Sequence, residues 1–289
     1  MRVVLLGVLA LGMVGLAGCQ RLGPAPVAAP KYVVGQAWQG DRAWFYPREN
    51  YDYRDSGLAS VAADGRPRLT ANGEVFDQGA LAAGHQTLQM PAVLIVTNLD
   101  NGLRIRVRVN DRGPSSPGRV IELTRRAAEL LRIPANGTAA VRLEIDGAMS
   151  RAVAEKLGEG VRNTGIDAAP RASVKAEALA GRQIGAPAQS VAAGGRLPDV
   201  ADRLPEMVEQ GPAGFRGFFM QAGEFSRFDY AYQRVAALYG TGARVERRRV
   251  GKSEEFAVVA GPFNNSAQAD AALDLALRAG VVDARITAE

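Results

Sequence analysis

Three side chains in the first half of the sequence sit where proton chemistry is done. Asp111 stands in Asn110-Asp111-Arg112-Gly113-Pro114, just past a strand-like run, in a turn stiffened by Gly113 and Pro114. Glu74 follows Gly73 in a loop, and His85 is the only histidine. A carboxyl in such a turn can give or take a proton, and a histidine beside it can tune it. The same residues also have structural readings. Asp111 can be a turn residue paired with Arg112, Glu74 a solvated loop charge, and His85 a satisfied core residue. One His and one Cys cannot build an ordinary zinc site, and no Gly-x-Ser-x-Gly elbow is present. Neither a metal nor a cofactor is expected.

These residues need a scaffold, and residues 57–147 supply strand signals for one. Val93-Leu94-Ile95-Val96 and Arg104-Ile105-Arg106-Val107-Arg108-Val109 read as strands, the second alternating charged and apolar side chains. The Asn98-Leu99-Asp100-Asn101-Gly102 between them ends in Asn-Gly, a strong hairpin signal. Val141 to Ile145 alternates again. One helix is expected over Thr124–Leu131, capped by Thr124. Several short strands with one helix suggest a small closed barrel.

The chain of 289 residues is long enough for two small domains with connections. Its formal charge of +5 suits an anionic partner such as nucleic acid, lipid headgroups or an acidic polysaccharide. The apolar run Val3 to Leu16 is too short for a membrane span of about 20 residues and reads as an export signal over residues 1–18. It ends in Leu16-Ala17-Gly18-Cys19, and Cys19 is the only cysteine, so no intrachain disulfide can form.

Residues 19–56 hold a Pro/Ala-rich tether and an aromatic strap with Trp38, Trp44, Phe45, Tyr46, Tyr51 and Tyr53, expected to pack on the barrel. Residues 148–212 are rich in Ala, Gly, Arg and Pro, and between Ser150 and Pro212 no aromatic residue occurs. That segment is expected to be mostly a disordered linker, with short helices near Arg151–Leu157 and Val200–Glu209. Residues 213–289 give a β-α-β-β-α-β order with Ser266 capping the second helix, a ferredoxin-like arrangement. Its halves echo each other, Ala222-Gly223-Glu224-Phe225 against Ala260-Gly261-Pro262-Phe263.

Several motifs in fixed order carry a family resemblance. They are Leu69-Thr70-Ala71-Asn72-Gly73-Glu74-Val75-Phe76-Asp77, Leu81-Ala82-Ala83-Gly84-His85-Gln86-Thr87-Leu88, Val96 to Gly102, Val109-Asn110-Asp111-Arg112-Gly113-Pro114 and Arg119-Val120-Ile121-Glu122-Leu123-Thr124. Together they resemble the six-stranded double-psi β-barrel of the rare lipoprotein A family. Residues 213–289 resemble a SPOR domain. The N-terminal Leu-Ala-Gly-Cys resembles a lipobox, which implies a lipid on Cys19. Gln20 after it implies sorting to the outer membrane, facing the periplasm.

The resemblance implies a lytic transglycosylase that cuts peptidoglycan glycan stripped of stem peptides, at the division septum, without nucleic acid as partner. It places the implicated residues on Asp111, His85 and Glu74. It also implies glycan binding by the last domain through Gln221, with Phe219 and Phe256 as further candidates and divisome proteins as partners. Two positions depart from the family pattern. Ala59-Ser60-Val61-Ala62-Ala63 replaces Ala-Ser-Trp-Tyr-Gly, which weakens one sugar subsite or leaves it to the strap, and Gly84 replaces a commoner Ala.

Cutting a glycosidic bond needs a proton for the leaving oxygen and support for an oxocarbenium-like centre. A transglycosylase uses the sugar's own C6 hydroxyl as nucleophile, so one carboxyl can act first as acid and then as base. Asp111 is the expected carboxyl, with barrel walls keeping its proton available. If water attacks instead, Glu74 is the expected base. Two other readings stand beside this one: a non-catalytic wall-binding lipoprotein, and an expansin-like loosener that parts polysaccharides without cutting.

Overall fold

The computed structural model describes residues 26–63, 65, 67–158, 203–251 and 253–289. The expected leader, Cys19, residues 20–25 of the tether and the segment 159–202 lie outside the described residues.

The aromatic strap is extended, as expected. It contains a small hairpin, β1 (Trp38–Gln39) against β2 (Trp44–Phe45). Trp38 stacks at 4.8 Å on Phe45 and donates its indole N–H to the Gln86 carbonyl. Six strands then close a barrel: β3 (Arg54–Val61), β4 (Ala82–His85), β5 (Ala92–Asn98), β6 (Leu103–Asp111), β7 (Ile121–Leu123) and β8 (Ala139–Ile145). They run in the order β4-β7-β3-β8-β5-β6, and β4 pairs with β6 to complete the ring. The pairs β3–β7 and β4–β6 are parallel and the others antiparallel. This is the expected double-psi barrel. Alternation sends Ile105, Val107 and Val109 inward from β6, to meet Leu94, Val96, Ile121, Leu123 and Leu143 in one core.

Several local expectations need correction. Helix α1 (Arg125–Leu130) starts after Thr124, but that hydroxyl does not cap it. It donates instead to the carbonyls of Ala80 and Ala82, tying the helix start to β4. Residues 148–158 are not linker, and the helix expected near Arg151–Leu157 is present and starts earlier. Helix α2 (Gly147–Lys156) is capped by Asp146, which accepts from the Met149 N–H, and buried Ser150 hydrogen-bonds both the N–H and the carbonyl of Val93. From residue 203 the expected helix gives way to an extended segment. Within it β9 (Glu209–Gln210) adds to the start of β6, held by Glu209 against Arg104 and Arg106.

The last domain has the expected order: β10 (Phe218–Phe225), α3 (Phe228–Ala237), β11 (Arg244–Val250), β12 (Ser253–Phe263), α4 (Ser266–Arg278) and β13 (Arg285–Ala288). Its sheet runs β11-β12-β10-β13, antiparallel throughout. The cap of α4 is Asn265, one residue before the expected Ser266, and it accepts from the Gln268 N–H.

The domain sits on the barrel through β13 and α4. Leu58, Leu99 and Ala140 of the barrel join its apolar cluster. Around that contact Arg119 grips Asp270 through two bonds of 2.7 and 3.0 Å, Arg42 meets Asp274, and Arg285 meets Asp55.

Candidate active site

The position of Asp111 depends on a bulge. Ala83 on β4 faces Val109 on β6, but the next residue, Gly84, faces Asp111, so Asn110 and Asp111 together oppose one residue. Without that extra residue, strict alternation from core-facing Val109 would turn Asp111 back into the barrel. The bulge turns both polar side chains onto the loop around residues 70–74. Gly84 in turn pairs with Glu122 on β7, and Glu122 pairs with Ser60 on β3. Ser60, Glu122, Gly84 and Asp111 therefore form one row across four strands. The flanking Ala59, Ile121, Ala83 and Leu123 point the other way, into the core.

Both oxygens of Asp111 act as acceptors. Oδ1 takes the Ala71 N–H at 3.0 Å and the Arg112 N–H at 2.9 Å, and Oδ2 lies 2.6 Å from Arg68 Nη1. All three partners are donors, because the bulge brings the carboxyl to a donor-rich loop. Arg68 also stacks over Phe76, its guanidinium carbon 4.3 Å from the ring centre.

Glu74 is held by donors as well. Oε1 accepts from Asn72 and from Arg108, and Oε2 accepts from Asn110. Burial alone would raise its pKa. Arg108, Asn110 and Asn72 outweigh that and hold the carboxyl below the usual range. Glu74 thus braces Asn110 and the bulge beside Asp111.

His85 is not brought to the carboxylate of Asp111. Two residues on from core-facing Ala83, its ring is 2% exposed and points away from the row. Nδ1 accepts from the Thr87 and Leu88 N–H groups, which leaves the ring proton on Nε2, 3.0 Å from the Tyr53 hydroxyl. Tyr53 passes its own proton toward Asp55. Burial first, then the charge of Arg112, pulls the pKa of His85 down to about 3, so the imidazole is neutral. Arg112, lowered by burial to about 10, stays charged and bonds the carbonyls of Val34, His85 and Leu88.

The row contains one titratable group that the sequence reading did not single out as a site residue. Half-buried Glu122 has its pKa raised, first by burial and then by the charge of Asp111, while Arg68 pulls the other way. In the sequence it looks like the solvated member of the alternating Ile121-Glu122-Leu123. Its only signal is its place within the last of the motifs.

In the last domain Phe219 and Gln221 lie on the sheet face away from the helices, while Phe218, Met220 and Ala222 join the core. Phe256 is on the opposite face, in that core, edge-on to Phe228 of α3. The candidate glycan residues are therefore split between two faces. The Gln221 amide is engaged at both ends, accepting from Arg285 and donating to Glu224.

Comparison with known proteins agrees with this architecture. Residues 40–143 match the sequence model of a family described as lytic transglycolase, and residues 214–286 match that of the SPOR domain. An endolytic peptidoglycan transglycosylase RlpA of Yersinia pestis is 43% identical over 109 residues, covering 32% of this chain and 30% of its own. The protein of the same name from Campylobacter jejuni is 48% identical over 92 residues, 32% of this chain and 34% of its own. The one from Rickettsia bellii is 34% identical over 117 residues, 39% of this chain and 52% of its own. The chain thus spans about a third of the length of the first two relatives and half of the third. The crystal structure of the RlpA SPOR domain from Pseudomonas aeruginosa matches 25% of this chain and 97% of its own at 19% identity, with a TM-score of 0.23.

Fold and matches define the class, a lytic-transglycolase double-psi barrel joined to a SPOR domain. Over the barrel the chain is similar to proteins named endolytic peptidoglycan transglycosylase RlpA.

Proposed function

We propose that this chain is an endolytic lytic transglycosylase of peptidoglycan. It cuts the bond between N-acetylmuramic acid and N-acetylglucosamine in glycan free of stem peptides, leaving 1,6-anhydro ends. The observation that carries this reading is the bulge that sets the Asp111 carboxylate on an outward polar row of a lytic-transglycolase barrel. There it can steady an oxocarbenium-like centre and take the proton of the attacking C6 hydroxyl. Phe219 and Gln221 offer an apolar face and an amide to sugar rings in the SPOR domain. Cys19, on its lipobox-like sequence, tethers the protein to the outer membrane, and the SPOR domain directs it to septal glycan and to divisome proteins there.

Digestion of denuded glycan with the purified protein, read by mass spectrometry, tests the reaction. Cleavage giving 1,6-anhydro ends is expected, and Asp111→Asn should lower the rate by about 10²–10⁴-fold with the fold kept. Reducing ends would mean that water attacks. The tight Arg68 contact on Asp111 favours a second reading, a glycan clamp without turnover. Binding with no cleavage by the wild type would select it.

A further inference from the structure

Glu122 and Asp111 flank a residue with no side chain. Both are Cα partners of Gly84, one across β7 and one across β6, so two strand spacings, about 10 Å, separate their Cα atoms. Nothing on Gly84 stands between them. The carboxyl of Glu122 also lies against the turn that follows Asp111: a Cβ added to Gly113 would come 3.2 Å from Glu122 Oε2. Their surroundings differ. Asp111 is gripped by a guanidinium and two N–H groups. Among the described residues no ion pair or side-chain hydrogen bond holds Glu122. Burial and the neighbouring negative charge of Asp111 favour its protonated form. A carboxyl that tends to keep its proton, set beside a second one gripped only by donors, gives a basis for dividing acid and base roles.

We infer that Glu122 is the proton donor of the cleavage and Asp111 the anion that receives the proton of the attacking hydroxyl. This rests on the transglycosylase reading above. As the bond between C1 of the muramic sugar and O4 of the next glucosamine breaks, O4 takes the proton of Glu122 and leaves as a hydroxyl. The C6 oxygen of the muramic sugar bonds to C1, closing the 1,6-anhydro ring, and its proton passes to Asp111. Transfer of that proton to Glu122 through solvent restores the starting state. No water is consumed and nothing is oxidised.

The test compares wild type, Glu122→Gln, Glu122→Asp and Asp111→Asn on denuded glycan and on an aryl glycoside of the same glycan. The phenolate of the aryl glycoside leaves without a proton. Glu122→Gln should lose about 10²–10⁴-fold on natural glycan but keep most of its rate on the aryl glycoside. Glu122→Asp should retain part of the natural activity, and Asp111→Asn should lose both. The fall of kcat/KM at high pH should vanish in Glu122→Gln. A folded Glu122→Gln that matches wild type on natural glycan overturns the assignment while the reaction stands. Equal loss on both substrates also overturns it and makes Glu122 a positioning residue. A wild type that gives no anhydro ends fails the reaction reading itself, before any variant is compared.

Discussion

His85 stays uncharged in the fold because both ring nitrogens are committed and Arg112 lies close by. The folded side chain takes up a proton only near pH 3, whereas the unfolded one does so below about pH 6.5. The stability it gives is therefore whole at neutral pH and is lost as the pH falls through that window, about 2 kcal/mol by pH 5. Glu122, with its raised pKa, works in the opposite sense, since its protonation in acid relieves a buried charge. The clean comparison is thus made in the Glu122→Gln background. There, urea unfolding at pH 7 and pH 5 should show the acid loss, and adding His85→Gln should flatten it. An unchanged pH slope after His85 is replaced would mean that other groups cause the acid sensitivity. His85 thus acts through the strap and β3, by way of Tyr53, rather than at the row.

Between Asp111 and Glu122 runs the segment joining β6 to β7, and Gln86 pins it. The Gln86 amide nitrogen lies 3.1, 3.0 and 2.9 Å from the carbonyls of Pro114, Ser116 and Arg119, so two N–H groups serve three acceptors. Gln86→Ala should cost about 1–2 kcal/mol of stability. It should lower kcat more than KM changes, because a carboxyl misplaced by about 1 Å can cost about 100-fold. An unaltered kcat in the folded variant would show that the segment needs no such pin.

At this scale the sequence was informative wherever pattern is local. Asn101-Gly102 marked the β5–β6 hairpin, alternation marked β6 and β8, and the β-α-β-β-α-β order of the last domain was legible throughout. It was silent where a partner strand decides. The bulge exists only in the pairing of β6 with β4, and β9 only in its pairing with the start of β6, where Glu209 meets Arg104 and Arg106. For the same reason Glu122 read as a solvated alternating residue, and Phe256 could not be assigned to a face.

Whether barrel and SPOR domain act as one body depends on how closely β13 approaches β3. Gly57 permits the approach, since a Cβ there would meet the Ile286 carbonyl oxygen of β13 at 2.9 Å. The apolar contact of Leu58, Leu99 and Ala140 depends on the same closeness, and the ion pairs around it are half-exposed and worth little singly. Gly57→Val suits a β-strand but removes the space, so the SPOR domain should lift away with both domains intact. Asp270→Arg, which sets like charge against Arg119, should weaken the contact without touching the strand. The expected result is a larger radius in solution scattering and two melting transitions in place of one. Arg285, which bonds Asp55 on one side and Gln221 on the other, would lose its barrel partner in the same step. If the SPOR sheet binds glycan as proposed, docking would hold a long strand at a fixed distance from the row, and undocking should lower kcat/KM on long glycan more than on short oligomers. If Gly57→Val leaves scattering, melting and length preference as in wild type, the two domains do not work as one body.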